Sequence, residues 1–122
     1  MDTHQDPRDV AIALTQRSDL KRFHLGAVIY DNHGIFRWGW NHILERTVTI
    51  LKTICAERHA ICGANRARLV GATIVVAGYK EYNNQLFLAR PCELCFPIIV
   101  KVGIKKIIYS KSDGTWGEDK IY

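Results

Sequence analysis

"TICAERHAICG", residues 53–63, brings two cysteines, a histidine, a glutamate and an arginine into one short segment. Small or apolar residues follow Cys55 at nearly helical spacing, namely Ala56, Ala60, Ile61, Ala64 and Ala67. This pattern predicts a helix over residues 55–69, with Gly71 just beyond its end. Reactive side chains would therefore lie at the start of a helix whose other positions belong to the core.

The segments around this helix have the character of strands. "HLGAVIYD" (24–31) and "IFRWGWNH" (35–42) are separated by Asn32-His33-Gly34, which predicts a β-hairpin. "ATIVVAGY" (72–79) is a continuous run rich in β-branched residues, as in a strand that is buried on both faces, and "IKKIIYS" (104–110) predicts another buried strand. A short run over residues 86–89 leads into Pro91, and the polar tail at 111–122 is a candidate edge strand.

Two further helices are indicated by their start signals. Asp6 is a candidate N-cap and Pro7 fits the first turn of an N-terminal helix. "LCFPIIVKVG" (94–103) predicts a helix that ends at Gly103, with Cys92 and Cys95 at its N-terminus.

The resulting order is α-β-β-α-β-α-β, and strands alternate with helices in the second half. This order predicts an α/β fold, a three-layer α-β-α sandwich with a mixed central sheet of about five strands. We expect one domain over residues 1–122, because this length is common for a single domain with one core.

Composition limits where such a chain operates. Its apolar runs are far shorter than the roughly 20 residues of a membrane-spanning helix, and its first residues lack a signal-peptide pattern. A C-x-x-C pair in such a chain more often serves metal binding or redox chemistry than a disulfide framework. We therefore expect a soluble, cytoplasmic protein in a reducing compartment. The formal net charge of +5 favours an anionic partner, such as a phosphate or a nucleic acid.

The cysteines predict a metal site. Cys55, Cys92 and Cys95 all fall at helix N-termini, where free amide groups and the helix dipole favour thiolates. Three thiolates indicate zinc. Cys62 would lie about 10 Å along the helix from Cys55, too far to share one ion, and we expect it to be a buried apolar cysteine.

Two arrangements of the fourth zinc position remain open. His59 follows Cys55 at i+4 and could close a structural site of three cysteines and one histidine. The other arrangement leaves the fourth position open for water and puts Glu57 beside it as a proton carrier. In that case Arg58 would hydrogen-bond a thiolate and offset the negative charge of three sulfurs.

"C-A-E" at residues 55–57 and "P-C-E-L-C" at 91–95 resemble the signature of the zinc-dependent cytidine and deoxycytidylate deaminases. The hairpin with "GWN" is similar to the first hairpin of that family, whose final asparagine, here Asn41, contacts the sugar. The resemblance implies Zn²⁺, Glu57 as the catalytic acid and base, and backbone groups near Ala56 and Pro91 that hold the exocyclic amine. It also implies a homo-oligomer, because related enzymes complete their pockets with a neighbouring subunit.

Three functions follow from these observations. The first is hydrolytic deamination of a cytosine nucleotide or nucleoside to the uracil product and ammonia. The second is deamination of cytosine or adenine in single-stranded DNA or RNA, favoured by the basic charge and by Ile43 where the free-cytidine branch carries an acidic residue. The third is a non-catalytic zinc module.

Overall fold

The computed structural model describes residues 6–20, 22–81 and 83–121. Its helices are α1 (Pro7–Leu14), a 3₁₀ helix (Thr15–Arg17), α2 (Ala56–Cys62), α3 (Arg66–Leu69) and α4 (Phe96–Lys101). Its strands are β1 (Phe23–Asp31), β2 (Gly34–Trp40), β3 (His42–Arg46), β4 (Leu51–Ile54), β5 (Thr73–Lys80), β6 (Gln85–Phe87), β7 (Lys106–Ser110) and β8 (Trp116–Lys120).

The main sheet follows the apolar runs of the sequence. Its strands lie in the order β2-β1-β5-β7-β8, and β6 pairs with the end of β5. β5 and β7 are parallel, and the other neighbours in this sheet are antiparallel. Helices cover both faces, which confirms the predicted α/β sandwich with a mixed sheet. The C-terminal tail supplies β8, an edge strand paired with β7.

Alternation along the central strands divides the core into two layers. On one face Val28, Val75 and Ala77 pack against Ala11 and Leu14 of α1. On the other face, alternate residues of the same strands pack against α2, α3 and α4; the buried members include Ala27, Ile29, Ile74, Val76, Ala60, Leu69 and Ile99. The period of two therefore directs successive side chains of the central strands into opposite layers.

The predicted helix over residues 55–69 is wrong in its length. α2 ends at Cys62, and α3 begins four residues later, with the Asn65 side chain accepting a hydrogen bond of 2.9 Å from the Ala67 amide. Gly63 and Asn65 favour this break, because glycine disfavours helix interiors and asparagine caps helices well. Cys62 is consequently at a helix end and exposed, not buried as expected.

A second difference is the antiparallel pair of β3 and β4, which forms a two-stranded sheet apart from the main one. Four apolar side chains of this hairpin are exposed: Leu44, Val48, Ile50 and Leu51. The hairpin connects β2 to α2, so it lies directly before the cysteine that begins the helix.

In the part of the chain that the structure describes, helices that combine the length and hydropathy required to span a membrane are absent.

Candidate active site

A cleft of about 220 Å³ opens where the β1–β2 hairpin, the start of α2 and the chain before α4 meet. We call it the site cleft. Its walls are Leu20, Leu25, Asn41, Thr53, Ile54, Cys55, Ala56, Glu57, Phe87, Leu88, Ala89, Arg90 and Cys92. Two of the three sequence-predicted cysteines and the predicted catalytic glutamate thus share one cavity.

The start of α2 is held close to β2 by a glycine. A Cβ on Gly39 would lie 2.6 Å from the Ala56 carbonyl oxygen and 2.6 Å from the Ala60 amide nitrogen. Only the missing side chain at Gly39 lets the helix approach the strand this closely. Cys55 is the N-cap of α2, in extended conformation, and Glu57 lies in the first turn.

Glu57 is the acidic group of the site cleft. It is 4% exposed, and burial raises the pKa of its carboxyl to about 7, with a further increase from the charge of Cys55. A carboxyl group in this range exchanges protons readily near neutral pH. A buried carboxyl group that lines a cavity and has this pKa is chemically able to accept or donate a proton there.

The three predicted ligand cysteines are neighbours. The Cys95 thiol is hydrogen-bonded to Cys55 and also interacts with Cys92. This hydrogen bond lowers the pKa of Cys55 to about 6, and the Arg58 charge lowers it further. The same hydrogen bond, together with burial, raises the pKa of Cys95. All three carry free thiols; Cys95 is buried and Cys92 is exposed.

The donor chemistry of these cysteines suits zinc. Thiolate sulfur is a preferred zinc ligand, and the lowered pKa of Cys55 favours its thiolate form. Within residues 6–20, 22–81 and 83–121, however, groups of three or more His, Cys, Asp or Glu side chains placed to hold a metal ion are absent.

The His59 side chain packs against Trp40 and His42. Its Nδ1 accepts a hydrogen bond of 3.1 Å from the Trp40 backbone amide, and its ring packs edge-on against the rings of Trp40 and His42. These contacts tie α2 to β2. His59 does not line the site cleft among the residues that the structure describes.

Arg58, predicted to support a thiolate, is exposed on α2. It acts on Cys55 through its charge, which is one cause of the lowered Cys55 pKa.

Asn41, the predicted sugar contact, has a structural task as well. Its Oδ1 accepts a hydrogen bond of 2.8 Å from the Leu25 amide, and its Nδ2 donates to the Phe23 carbonyl at 2.9 Å. The side chain therefore clamps the start of β1 to the end of β2 while it lines the site cleft. One amide hydrogen and one oxygen lone pair remain for a ligand.

Ala56 and Pro91 are both buried. Ala56 lines the site cleft. Pro91 lines a neighbouring cleft of about 330 Å³, the rim cleft, formed by Arg90, Pro91, Cys92, Glu93, Phe96 and Pro97.

Sequence reasoning missed the walls of the site cleft. Thr53 and Ile54 come from β4, a strand the sequence did not reveal, while Phe87 ends β6 and Leu88 and Ala89 follow it. Arg90 is another omission, although it stands directly before the Pro-Cys motif. Ser110, at the end of β7, supports this wall: its hydroxyl donates to the Phe87 carbonyl at 2.8 Å and accepts from the Gly78 amide at 2.9 Å.

The sequence profile of the cytidine and deoxycytidylate deaminase zinc-binding region matches residues 1–111. The chain therefore belongs to the cytidine and deoxycytidylate deaminase family. A comparison with curated proteins gives no significant match.

Solved structures share this fold. A cytidine deaminase from Burkholderia pseudomallei is 21% identical, with a TM-score of 0.68 over 98% of this chain and 93% of its own. A dCMP deaminase from the cyanophage S-TIM5, solved with dCMP and dUMP, is 21% identical, with a TM-score of 0.64 over 91% and 90% of the two chains. A cytidine deaminase from Mycobacterium tuberculosis is 20% identical, with a TM-score of 0.54 over 84% and 80%.

Proposed function

We propose that this chain is a zinc-dependent enzyme that hydrolytically deaminates a cytosine nucleotide or nucleoside to the uracil product and ammonia. The observation that carries the proposal is the site cleft itself, where the buried Glu57 carboxyl lies in one cavity with Cys55 and Cys92. Membership of the deaminase family supports the same reaction.

The proposed metal set is Cys55, Cys92 and Cys95. Zinc, when bound, supplies Lewis-acid activation of water for attack on the ring. The contact of His59 with Trp40 and His42 supports an arrangement in which His59 is not a ligand. Arg58 would lower the negative charge that three thiolates bring to the site.

Glu57 would carry the protons of the reaction. Deamination at C4 requires a proton on N3 of the ring and another on the departing amine, and water is the source of both. Glu57 would accept one proton from the attacking water and pass it to N3. It would then accept the second proton from the hydroxyl group now bonded to C4 and give it to the amine, so that the C4–N bond breaks, ammonia leaves and the C4 carbonyl forms. Its burial keeps bulk water from competing for these transfers.

The other site residues would orient the substrate. The free amide hydrogen and lone pair of Asn41 are available to a sugar hydroxyl. Backbone groups at Ala56 and Pro91 would hold the exocyclic amine. Leu25, Ile54 and Phe87 would form an apolar slot for the base.

Two variants test the reaction against a closed structural site. Glu57→Gln should keep zinc and fold while lowering the rate by about 10²–10⁴-fold, because it removes the proton carrier. His59→Asn should keep zinc and most activity. The measurements are zinc content, thermal stability and ammonia release from cytidine, deoxycytidine, dCMP, adenosine and short single strands.

The opposite pattern would refute the proposal. Loss of zinc in His59→Asn, with Glu57→Gln silent, would identify a closed structural site and the third of the functions considered above. For the ligand set, Cys55→Ser should lose zinc, whereas Cys62→Ser, on the same helix but exposed, should retain one ion per chain.

The remaining expectations are part of the proposal. We propose one catalytic domain, a cytoplasmic location and assembly into a homo-oligomer. Action on single-stranded DNA or RNA stays a prediction; binding of a polymer would weaken steeply with ionic strength, because bound counterions are released.

A further inference from the structure

We propose that the chain has a second ligand site, at the opposite end of the main sheet from the site cleft, which binds the phosphate group of a small phosphate monoester. The site is a cleft of about 650 Å³ where the end of β1 and α3 meet the starts of β5 and β7. We call it the far cleft, and its walls include Tyr30, Asp31, Arg68, Thr73, Lys105 and Lys106.

The far cleft is separate from the site cleft. The described residues that line the two cavities have no member in common. The site cleft contacts Leu25 near the start of β1, whereas the far cleft contacts Tyr30 and Asp31 at the end of this strand. Leu25 and Tyr30 are about 17 Å apart along an extended strand. A molecule in the far cleft therefore leaves the site cleft open to substrate.

A buried hydroxyl group without a protein partner faces the far cleft. Thr73 is 4% exposed, and among the residues that the structure describes its side chain takes part in no hydrogen bond. No described side-chain nitrogen or oxygen is both shielded from solvent and unpaired. The Thr73 hydroxyl must therefore reach the surface, and the cavity that Thr73 lines is the far cleft. Burial of a hydroxyl costs free energy unless it is hydrogen-bonded, so a ligand there would supply the missing bond.

Strand register places Thr73 between two further donor groups. Thr73 pairs with Tyr30 of β1 on one side and with Lys106 of β7 on the other. Paired residues on neighbouring strands direct their side chains to the same face of the sheet. The phenol of Tyr30, the hydroxyl of Thr73 and the ammonium group of Lys106 therefore stand in one row across the sheet. Such a row of donors suits an oxyanion, which accepts several hydrogen bonds at once.

The far cleft also has an excess of positive charge. Its walls carry the cations Arg68, Lys105 and Lys106 and the carboxylate of Asp31. Both Asp31 oxygens accept hydrogen bonds from Arg68, at 2.8 and 3.1 Å, so this pair neutralises itself. Lys106 Nζ lies 3.7 Å from a Glu118 oxygen, and the exposed Lys105 takes part in no ion pair within the described part of the chain. Lys105 and, in part, Lys106 remain to attract a phosphate monoester, which carries a charge of about −2 near pH 7.

The size and walls of the far cleft favour a small molecule over a nucleic acid. Its volume of about 650 Å³ lies within the roughly 300–1,000 Å³ typical of small-molecule sites. Single strands are bound by charged grooves in which successive bases stack on aromatic rings. The Tyr30 ring instead packs partly buried against the layer of α1. The cleft therefore fits one phosphate group with a small organic part attached.

Nuclear magnetic resonance titration of the isotope-labelled, zinc-loaded protein tests the site, with ribose 5-phosphate as the probe. The amide signals of Thr73, Lys105 and Lys106 should shift saturably, while those of Glu57 and Cys92 should not. Inorganic phosphate should shift the same three signals. Uncharged ribose should leave them unchanged, because the site recognises the phosphate group.

Substitutions in the far cleft separate its two kinds of donor. Thr73→Val should weaken the binding of ribose 5-phosphate about 10-fold, because it removes the hydroxyl group. Thr73→Ser retains the hydroxyl group and should bind as the wild type does. Lys105→Gln should weaken binding about 3- to 10-fold, since an exposed charge contributes less than a buried one. Lys101→Gln, in an exposed lysine of α4 outside the far cleft, removes the same charge and should have no effect.

Wild-type affinity in both Thr73→Val and Lys105→Gln would overturn the inference, as would an equal loss in Lys101→Gln. So would shifts confined to Glu57 and Cys92, no saturable binding of either phosphate probe at millimolar concentration, or tighter binding of a short oligodeoxynucleotide at the same amides. Because Lys105 is exposed, its variant decides the matter even if Thr73→Val does not fold. These results leave the proposed deamination untouched, because each measures binding and not turnover.

Discussion

Ser110 connects three parts of the molecule through one buried residue. Its hydroxyl bonds the Gly78 amide of β5 and the Phe87 carbonyl, and its carbonyl accepts from the Ala89 amide at 3.0 Å. Phe87 and Ala89 are walls of the site cleft. The side chain therefore fixes that wall to the central sheet.

Ser110→Ala should destabilise the fold by about 1–3 kcal/mol, because the buried Gly78 amide loses its acceptor. The loosened wall should also raise KM more than it lowers kcat. Chemical denaturation and steady-state kinetics give the two quantities. The exposed neighbour Ser112, changed to alanine, should alter neither; equal behaviour of the two variants would contradict the role of Ser110.

At the residue level, the site residues that the sequence could predict are those that lie close together in short motifs. Cys55, Glu57, Cys92 and Cys95 belong to short motifs, so the chemistry of the cluster can be proposed from local sequence. Arg90 and the residues joined by Ser110 depend on how distant strands meet, and local sequence carries no record of that.

The contact between α2 and β2 is the critical one at the level of elements. Gly39 lies so close to the backbone of Ala56 and Ala60 that there is no room for a Cβ. Any added side chain must therefore push α2 away from β2. Because α2 begins at Cys55, this movement would displace both the predicted ligand and Glu57.

Gly39→Ala should therefore lower stability by about 1–3 kcal/mol through overpacking and reduce zinc content and activity together. Thermal unfolding and metal analysis measure the two effects. Asn32→Ala, in the exposed turn of the same hairpin, serves as the control. Unchanged stability in Gly39→Ala would show that α2 tolerates a shift away from β2.

An ion pair links α3 to the end of β1. Arg68 Nε and Nη2 donate to the two Asp31 oxygens at 2.8 and 3.1 Å, and the guanidinium stacks on Phe36. The hydrogen bond from Arg68 lowers the pKa of Asp31 to about 2 from its ordinary value of 3.8. The charged form is thus favoured in the folded state.

This shift has a defined pH dependence. The stabilisation is present above pH 3.8 and is lost as the pH falls through about 2. Asp31→Asn should be less stable than the wild type at about pH 6, and the difference should vanish near pH 2. Denaturation across this range measures it. In an Arg68→Gln background the substitution should show little pH dependence; an undiminished effect would assign the stabilisation to another partner.

Helices and strands could be predicted where the sequence pattern that identifies them lies within the element itself. The β1–β2 hairpin, β5 and β7 follow from apolar runs and a clear turn. The break between α2 and α3 did not follow, because small residues kept the helical pattern through it. β3 and β4 were missed because their residues do not bury one face, so the hydrophobic alternation that identifies a strand is weak there.

At the scale of the whole molecule, the exposed β3–β4 hairpin bears on assembly. A lone two-stranded sheet is marginal in water, and this one exposes Leu44, Val48, Ile50 and Leu51 beside the site cleft. We expect a second copy of the chain to cover such a surface. Light scattering at micromolar concentration should give a multiple of 13.9 kDa; a mass of one chain at all concentrations would contradict the expected homo-oligomer.

We expect the parallel pairing of β5 with β7 to form late in folding. The passage between the two strands carries β6, Cys92, Cys95 and α4. Local hairpin contacts such as β1–β2 close early, whereas parallel pairing must wait for a long loop to close. Pulsed hydrogen exchange during refolding should therefore protect the Val28 amide before that of Ala89, which depends on Ser110. During synthesis, a chain whose β7 is still inside the ribosome lacks the Ser110 contacts with Phe87 and Ala89, so we expect the site cleft to be completed only after β7 emerges.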